Sequence, residues 1–214
     1  MNYRIEIRQD TCVSESPRER DNLGTMVCWH RRYNLGDDQP KISPDAYWID
    51  LIMDDDKISD SDYYEMTSVY GWSEFSFNML PKGTMNRVKK LIDQKYIVLP
   101  LYLYDHSGIT MNTTGFYCPW DSGQVGFIYV SVADVKKEWK WERMSQKRRE
   151  FIERILEAEV KTYDQYLTGD VWGYEILDEN DDQVDSCWGY YGEEYCMQEA
   201  RESLRYLEGA LHEN

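Results

Sequence analysis

His106, Cys118 and Asp121 sit along one connection, and a histidine, a thiol and a carboxylate are the parts from which a nucleophile, its base and an orienting group are assembled. They belong to the stretch Tyr96–Ser131, in which Asp105 and Asp121 are the formal charges and neither Lys nor Arg occurs. In a chain with 30% charged residues, so quiet a run marks the centre of a sheet, a site, or both. Ser107, Thr110, Asn112, Thr113, Thr114, Ser122 and Gln124 add hydroxyls and amides to it. A second segment, DSCWGYYG, shares Cys, Trp, Asp, Ser and Gly with CPWDSG. Were the two to adjoin, Cys118, Trp120, Asp121, Cys187 and Trp188 would line a pocket with His106 and Ser107.

Two features count against catalysis there. No cysteine-hydrolase signature is present, and Pro119 removes the backbone N–H after Cys118, a frequent oxyanion donor. No catalytic residue is therefore assigned. The polar groups read first as an Asx- and Ser-turn network that positions strands, and second as a binding pocket. Five cysteines without paired spacing signal neither a disulfide framework nor a zinc site. The Asp54–Asp56 run and the Asp178–Asp185 cluster lack the Gly and closing Glu of a calcium loop. With phosphate-cradling GxxxxGK also absent, neither metal nor cofactor is expected.

The elements that must position these residues follow from periodicity. Tyr3, Ile5 and Ile7 alternate with Arg4, Glu6 and Arg8, which predicts an opening strand. TMVCWH (25–30) predicts another. Ser43-Pro44 starts a helix to about Met53, and Thr84 is expected to cap a helix to about Gln94. Strands are predicted over 97–104 and 125–130, with a bulge or edge at Pro100. Ser131 with Asp134 opens a short helix of about nine residues. Ser145 caps a long one to Leu167, closed by Gly169. DVWGYEIL and QVDSCW form a hairpin around DENDD, and a last helix runs from Glu193 to Ala210. Residues 57–82 have no readable period. The expectation is a single α+β domain, 1–214, with a largely antiparallel sheet and three to five helices packed around it.

Charge is the other signal. The chain carries 40 acids against 24 bases, net −16. Residues 35–66 hold ten acids and two bases, and 155–214 hold sixteen and three, whereas 134–154 is basic. Phosphates would be repelled, so a direct nucleic-acid ligand is disfavoured and a basic protein partner favoured. The acidic residues expected to meet it are Asp54, Asp55, Asp56, Asp178, Glu179, Asp181, Asp182 and Asp185. Duplex DNA has one charge per about 1.7 Å of axis, so the excess of 16 equals about 27 Å of duplex if shown on one face. No signal peptide or apolar span of membrane length is read, which predicts a cytoplasmic protein without membrane contact; the sequence leaves a homodimer open.

The motifs SPRERDNLGTMVCWHRRYNLGD, YLYDHSGITMNTTGFYCPWDSGQVGFIYVS, YDQYLTGDVWGYEI and DSCWGYYG together resemble a family of uncharacterised proteins of phages, plasmids and integrative elements of Gram-positive bacteria. That resemblance covers most of the chain and carries no activity. It implies a mobile-element accessory protein, and the expectation built on it is an inhibitor of a host defence protein, either a CRISPR effector or a restriction enzyme, acting in the host cytoplasm as a DNA mimic. The alternative is a protein that binds or hydrolyses a nucleotide signal around His106, Cys118 and Asp121.

Overall fold

The computed structural model describes residues 2–13, 15–53, 59–61, 64 and 75–212. Its strands are β1 (Arg4–Gln9), β2 (Thr25–Cys28), β3 (Tyr96–Asp105), β4 (Ile109–Asn112), β5 (Ser122–Ser131), β6 (Val171–Leu177) and β7 (Gln183–Tyr191). Among the described residues the α-helices are α1 (Pro44–Ile52), α2 (Lys82–Lys95), α3 (Val132–Glu138), α4 (Gln146–Thr168) and α5 (Glu193–His212). This is the α+β architecture with antiparallel pairing expected from the sequence, its strands divided between sheets of order β1-β6-β7 and β2-β5-β3-β4. No helix among the described residues is long and apolar enough to cross a membrane.

Two compact units result, both discontinuous in sequence. The first combines residues 1–21, 105–111 and 161–214, the second 22–104 and 112–160. In the first, β6 lies between β1 and β7, with Ile5 opposite Ile176 and Ile7 opposite Tyr174. Those side chains alternate onto one face, and α5 lays Cys196, Ala200, Leu204 and Leu207 against them. This is the i, i+4 stripe of an amphipathic helix meeting the period-2 stripe of a sheet. The opposite face is charged. Glu6 and Glu175 are cross-strand partners, and Arg8 relieves their repulsion by reaching both, at 2.7 and 3.2 Å.

In the second unit α1 and α2 cover one face of the β2-β5-β3 sheet. Trp48, Ile49 and Ile52 of α1 and Val88 and Ile92 of α2 form a core with Val27 and Phe127. Ser43 caps α1 by accepting from the Ala46 amide at 3.1 Å, with Pro44 at the first helical position. The start of α2 differs from the sequence expectation. The helix begins at Lys82 behind Pro81, whose carbonyl accepts from Met85 N at 2.9 Å, and Thr84 is buried inside it. Proline has no N–H to satisfy and its φ is preset, so it displaces Thr84 as the boundary. Ser131 caps α3 through the Ala133 and Asp134 amides, as expected, but α3 has seven residues, and Lys140 follows at φ 54. The irregularity foreseen at Pro100 falls one residue later, as a register shift between Leu101 and Tyr102.

Glycines in this unit sit at close approaches, Gly36 among them, at φ 71 and with the Met26 carbonyl oxygen 2.8 Å from an added Cβ. A Cβ on Gly126 would lie 2.0 Å from the Val27 carbonyl oxygen, and one on Gly24 would lie 2.5 Å from Leu156 and 2.7 Å from Ile128. Gly24 N and Leu23 N also donate to the Glu159 carboxylate of α4.

Candidate functional site

The central stretch divides between the units, 105–111 belonging to the first and the rest to the second. His106 and Ser107 form the exposed tip of the β3–β4 connection, closed by a 3.0 Å bond from His106 N to the Gly108 carbonyl, with Ser107 at φ 59. Asp164 of α4 anchors this connection. Its Oδ1 accepts from the Thr110 hydroxyl and from the Met111 amide, both at 2.7 Å.

The loop before β5, in the second unit, is a hydrogen-bonded network of the kind expected from its Asn, Ser and Thr content. Asn112 Oδ1 accepts from Thr114 N at 3.1 Å and Gly115 N at 2.7 Å, while its Nδ2 donates to the Gly115 carbonyl. Gly115 has φ 84, which suits a residue without Cβ. The Ser122 hydroxyl closes the following turn by donating to the Cys118 carbonyl. Cys118 Sγ lies 3.7 Å from Asp121 Oδ2, so a thiol and a carboxylate do meet here. A nucleophilic thiolate is supported by a nearby cation or helix N-terminus, and neither Lys nor Arg occurs between Tyr96 and Ser131. Trp120 is 92% exposed and projects into solvent.

Cys187 and Trp188 belong to the first unit. Both lie on β7, where Cys187 is opposite Tyr174. Trp188 spreads over Gly173, where an added Cβ would fall 2.2 Å from the indole. Burial, and then a hydrogen bond with Cys187, pushes the Tyr190 phenol above its ordinary range. Burial likewise pushes the Cys196 thiol up to about 11. Both shifts describe a packed aromatic layer under α5. A hollow of about 450 Å³ in this unit lies between the segments 9–13 and 166–171. Its polar groups close the chain on itself, Gln9 Nε2 donating to the Gly169 carbonyl and Asp10 Oδ1 accepting from Cys12 N. Among the described residues no cluster of three or more His, Cys, Asp or Glu could hold a metal ion.

The acidic candidates differ in what they do. Asp54, Asp55 and Asp56 lie outside the described residues. Asp178 organises the β6–β7 turn, its Oδ1 accepting from Asn180 N at 2.8 Å and Asp182 N at 3.0 Å. These backbone donors hold its carboxyl below the usual range. Asp181, at φ 67, pairs with Arg4. Asp185 is half-buried and accepts from the Tyr174 and Ser203 hydroxyls, so it joins β7 to α5. Glu179 and Asp182 are exposed at the tip.

The folded arrangement adds what tract counting misses. The first unit contains twenty acids and seven bases, net −13, and the second twenty and seventeen, net −3. The 35–66 tract therefore shares a unit with the basic 134–154 segment, while the 161–214 acids have no such counterweight. Sequence reading also passed over Tyr117, which is fully exposed although its neighbours in GFYCPW are apolar.

No family model matches the chain, and neither the curated proteins nor the solved structures contain a significant match to it.

Proposed function

We propose that the protein is an acidic accessory protein of a phage or mobile element that inhibits a bacterial defence enzyme, a CRISPR effector or a restriction enzyme, by occupying its basic nucleic-acid-binding surface in the host cytoplasm. The concentration of charge in the first unit carries this reading. Thirteen excess negative charges correspond to about 22 Å of duplex axis, about two-thirds of a helical turn. Glu179, Asp181 and Asp182 at the β6–β7 tip, together with Glu193 and Glu194 at the start of α5, are the groups a basic surface would meet.

The test is displacement of a labelled DNA duplex from a purified RNA-guided nuclease and from a purified restriction endonuclease. Displacement by the wild-type protein should weaken about tenfold or more between 50 and 200 mM salt, as expected for several ion pairs. It should weaken again in a Glu179→Gln, Asp181→Asn, Asp182→Asn variant. Displacement that ignores both salt and the variant would refute the electrostatic mechanism.

A further inference from the structure

Residues 136–149 hold seven bases and two acids in a chain whose net charge is −16. The end of α3 shapes this segment. Trp141 N donates to the Lys136 carbonyl at 2.9 Å and Lys140 N to the Lys137 carbonyl at 3.3 Å, the paired bonds that close a helix through a left-handed residue. Glycine or asparagine ordinarily fills that place. Here Lys140 holds it at φ 54, so an exposed lysine stands between two tryptophans at some backbone cost.

The reversal brings the rings of Trp139 and Trp141 to 5.7 Å, and Phe151 of α4 meets them at 6.2 and 6.3 Å. The Arg148 guanidinium lies 4.7 Å over Trp141, and Phe151 remains 40% exposed. In the same segment Lys137, Lys140, Arg143 and Lys147 are exposed. Among the described residues none of these four enters an ion pair, whereas Arg149 pairs with Glu153 at 3.7 Å. Arg149 also donates to the Asp93 and Tyr96 carbonyls at 3.0 and 2.7 Å, which brings the C-terminal half of α2, with the exposed Lys90, beside the segment.

We propose that this segment is a binding site for single-stranded nucleic acid, its cations meeting successive phosphates and the Trp139–Trp141–Phe151 cluster stacking bases. An acidic peptide would use the cations and leave the rings idle. A bilayer surface would need rings that project beyond the cations, but Trp139 and Trp141 are half-buried against each other. A duplex keeps its base faces covered, whereas a strand with free bases uses both kinds of group. The chain's overall negative charge opposes binding from a distance. At 0.15 M salt the screening length is about 8 Å, so contacts at the segment itself decide. The site lies in the second unit and uses none of the acids assigned above to a basic partner.

Fluorescence anisotropy of labelled oligo-dT and oligo-rU of about 12 nucleotides, with the full chain, tests this. Saturable binding at 50 mM salt should weaken about 100-fold at 200 mM, as counterion release from about five phosphates requires. Lys140→Gly should keep or raise the Tm, because glycine suits φ 54, and still weaken binding about fivefold. Phe151→Ala should weaken binding about tenfold with the salt slope unchanged, whereas Lys137→Gln with Lys147→Gln should reduce the slope by about 1.4. The Glu179→Gln, Asp181→Asn, Asp182→Asn variant should bind the oligonucleotides as wild type does, so this site and the acidic surface fail or succeed separately. Absence of binding at 50 mM salt would overturn the proposal. So would equal or tighter binding of a duplex, of polyglutamate or of phosphatidylserine vesicles, or binding indifferent to both Phe151→Ala and Lys140→Gly.

Discussion

Replacing Asp164 with Ala removes one carboxylate oxygen that accepts two short bonds, from the Thr110 hydroxyl and the Met111 amide, each at 2.7 Å. A hydrogen bond to a charged group contributes about 1.5–3 kcal/mol, and a buried donor left unmade costs about 1–3 kcal/mol. Met111 is 2% exposed, so its amide finds no ready replacement in water. Because both bonds end on one atom their losses do not simply add, and a total of about 3 kcal/mol is expected. With a urea dependence of about 2 kcal/mol per M, the denaturation midpoint should fall by about 1.5 M. Asp164→Asn keeps an acceptor oxygen and loses the charge, so about 1 kcal/mol is expected. Native-state hydrogen exchange supplies a local readout: the Met111 amide should exchange about 100-fold faster in Asp164→Ala. A midpoint within about 0.3 M of wild type, with Met111 exchange unchanged, would show that the side chain does not anchor the connection carrying His106 and Ser107.

Gly126→Ala should destabilise by at least about 3 kcal/mol, read as loss of soluble protein or a lowered Tm, because the new Cβ falls 2.0 Å from the Val27 carbonyl oxygen and β2 must move. Acid should loosen the β6–β7 turn. The Asp178 pKa is lower in the fold than in the unfolded chain, so its contribution is fully present above the unfolded value of about 3.9 and is lost as pH falls through the lower folded value; exchange at the Asn180 and Asp182 amides should rise over that window in wild type and be flat in Asp178→Asn. Thiol labelling at pH 8 should modify the exposed Cys12 and Cys187 first, whereas the buried Cys28 and Cys196, the latter with its pKa pushed up to about 11, should react when the fold opens.

Most helices were legible because local chemistry specifies them. Ser43-Pro44, Ser131 and Ser145 all cap as their spacing predicts, and Gly169 ends α4 at φ 73. Thr84 was misread because Pro81 three residues earlier competes for the same boundary. The segment around Phe75, Phe77 and Leu80 was opaque for a different reason. It enters the core through a short 3-10 turn, Phe77–Met79, and so shows neither helical nor strand period. Sheet membership was legible for the β6–β7 hairpin around DENDD and for no other pairing. β1 pairs with β6 across more than 160 residues, and nothing local in RIEIRQ distinguishes that partner from β2 or β5. The site was legible to the same extent: the turn chemistry of Asn112 to Ser122 could be read from residue types, but the apportioning of Cys118 and Cys187 to different units could not.

The charge pattern shows why tracts and surfaces are different quantities. Read along the chain, 35–66 and 155–214 look like equivalent acidic features. Folding assigns the first to a unit with nearly as many bases as acids, and most of the second to a unit whose acids outnumber its bases almost three to one. Within that unit the acids are further sorted by their neighbours. Glu6 and Glu175 are tied to Arg8 on the sheet face, Asp185 is spent on Tyr174 and Ser203, and Asp178 on its own turn. A partner reading charge at close range would therefore meet Glu179, Asp182 and the start of α5 first, while the unit's full excess of 13 acts mainly on the rate of encounter. Neutralising Glu179 and Asp182 should accordingly slow association with a basic partner more than it speeds dissociation, and stopped-flow binding at two salt concentrations separates the two effects.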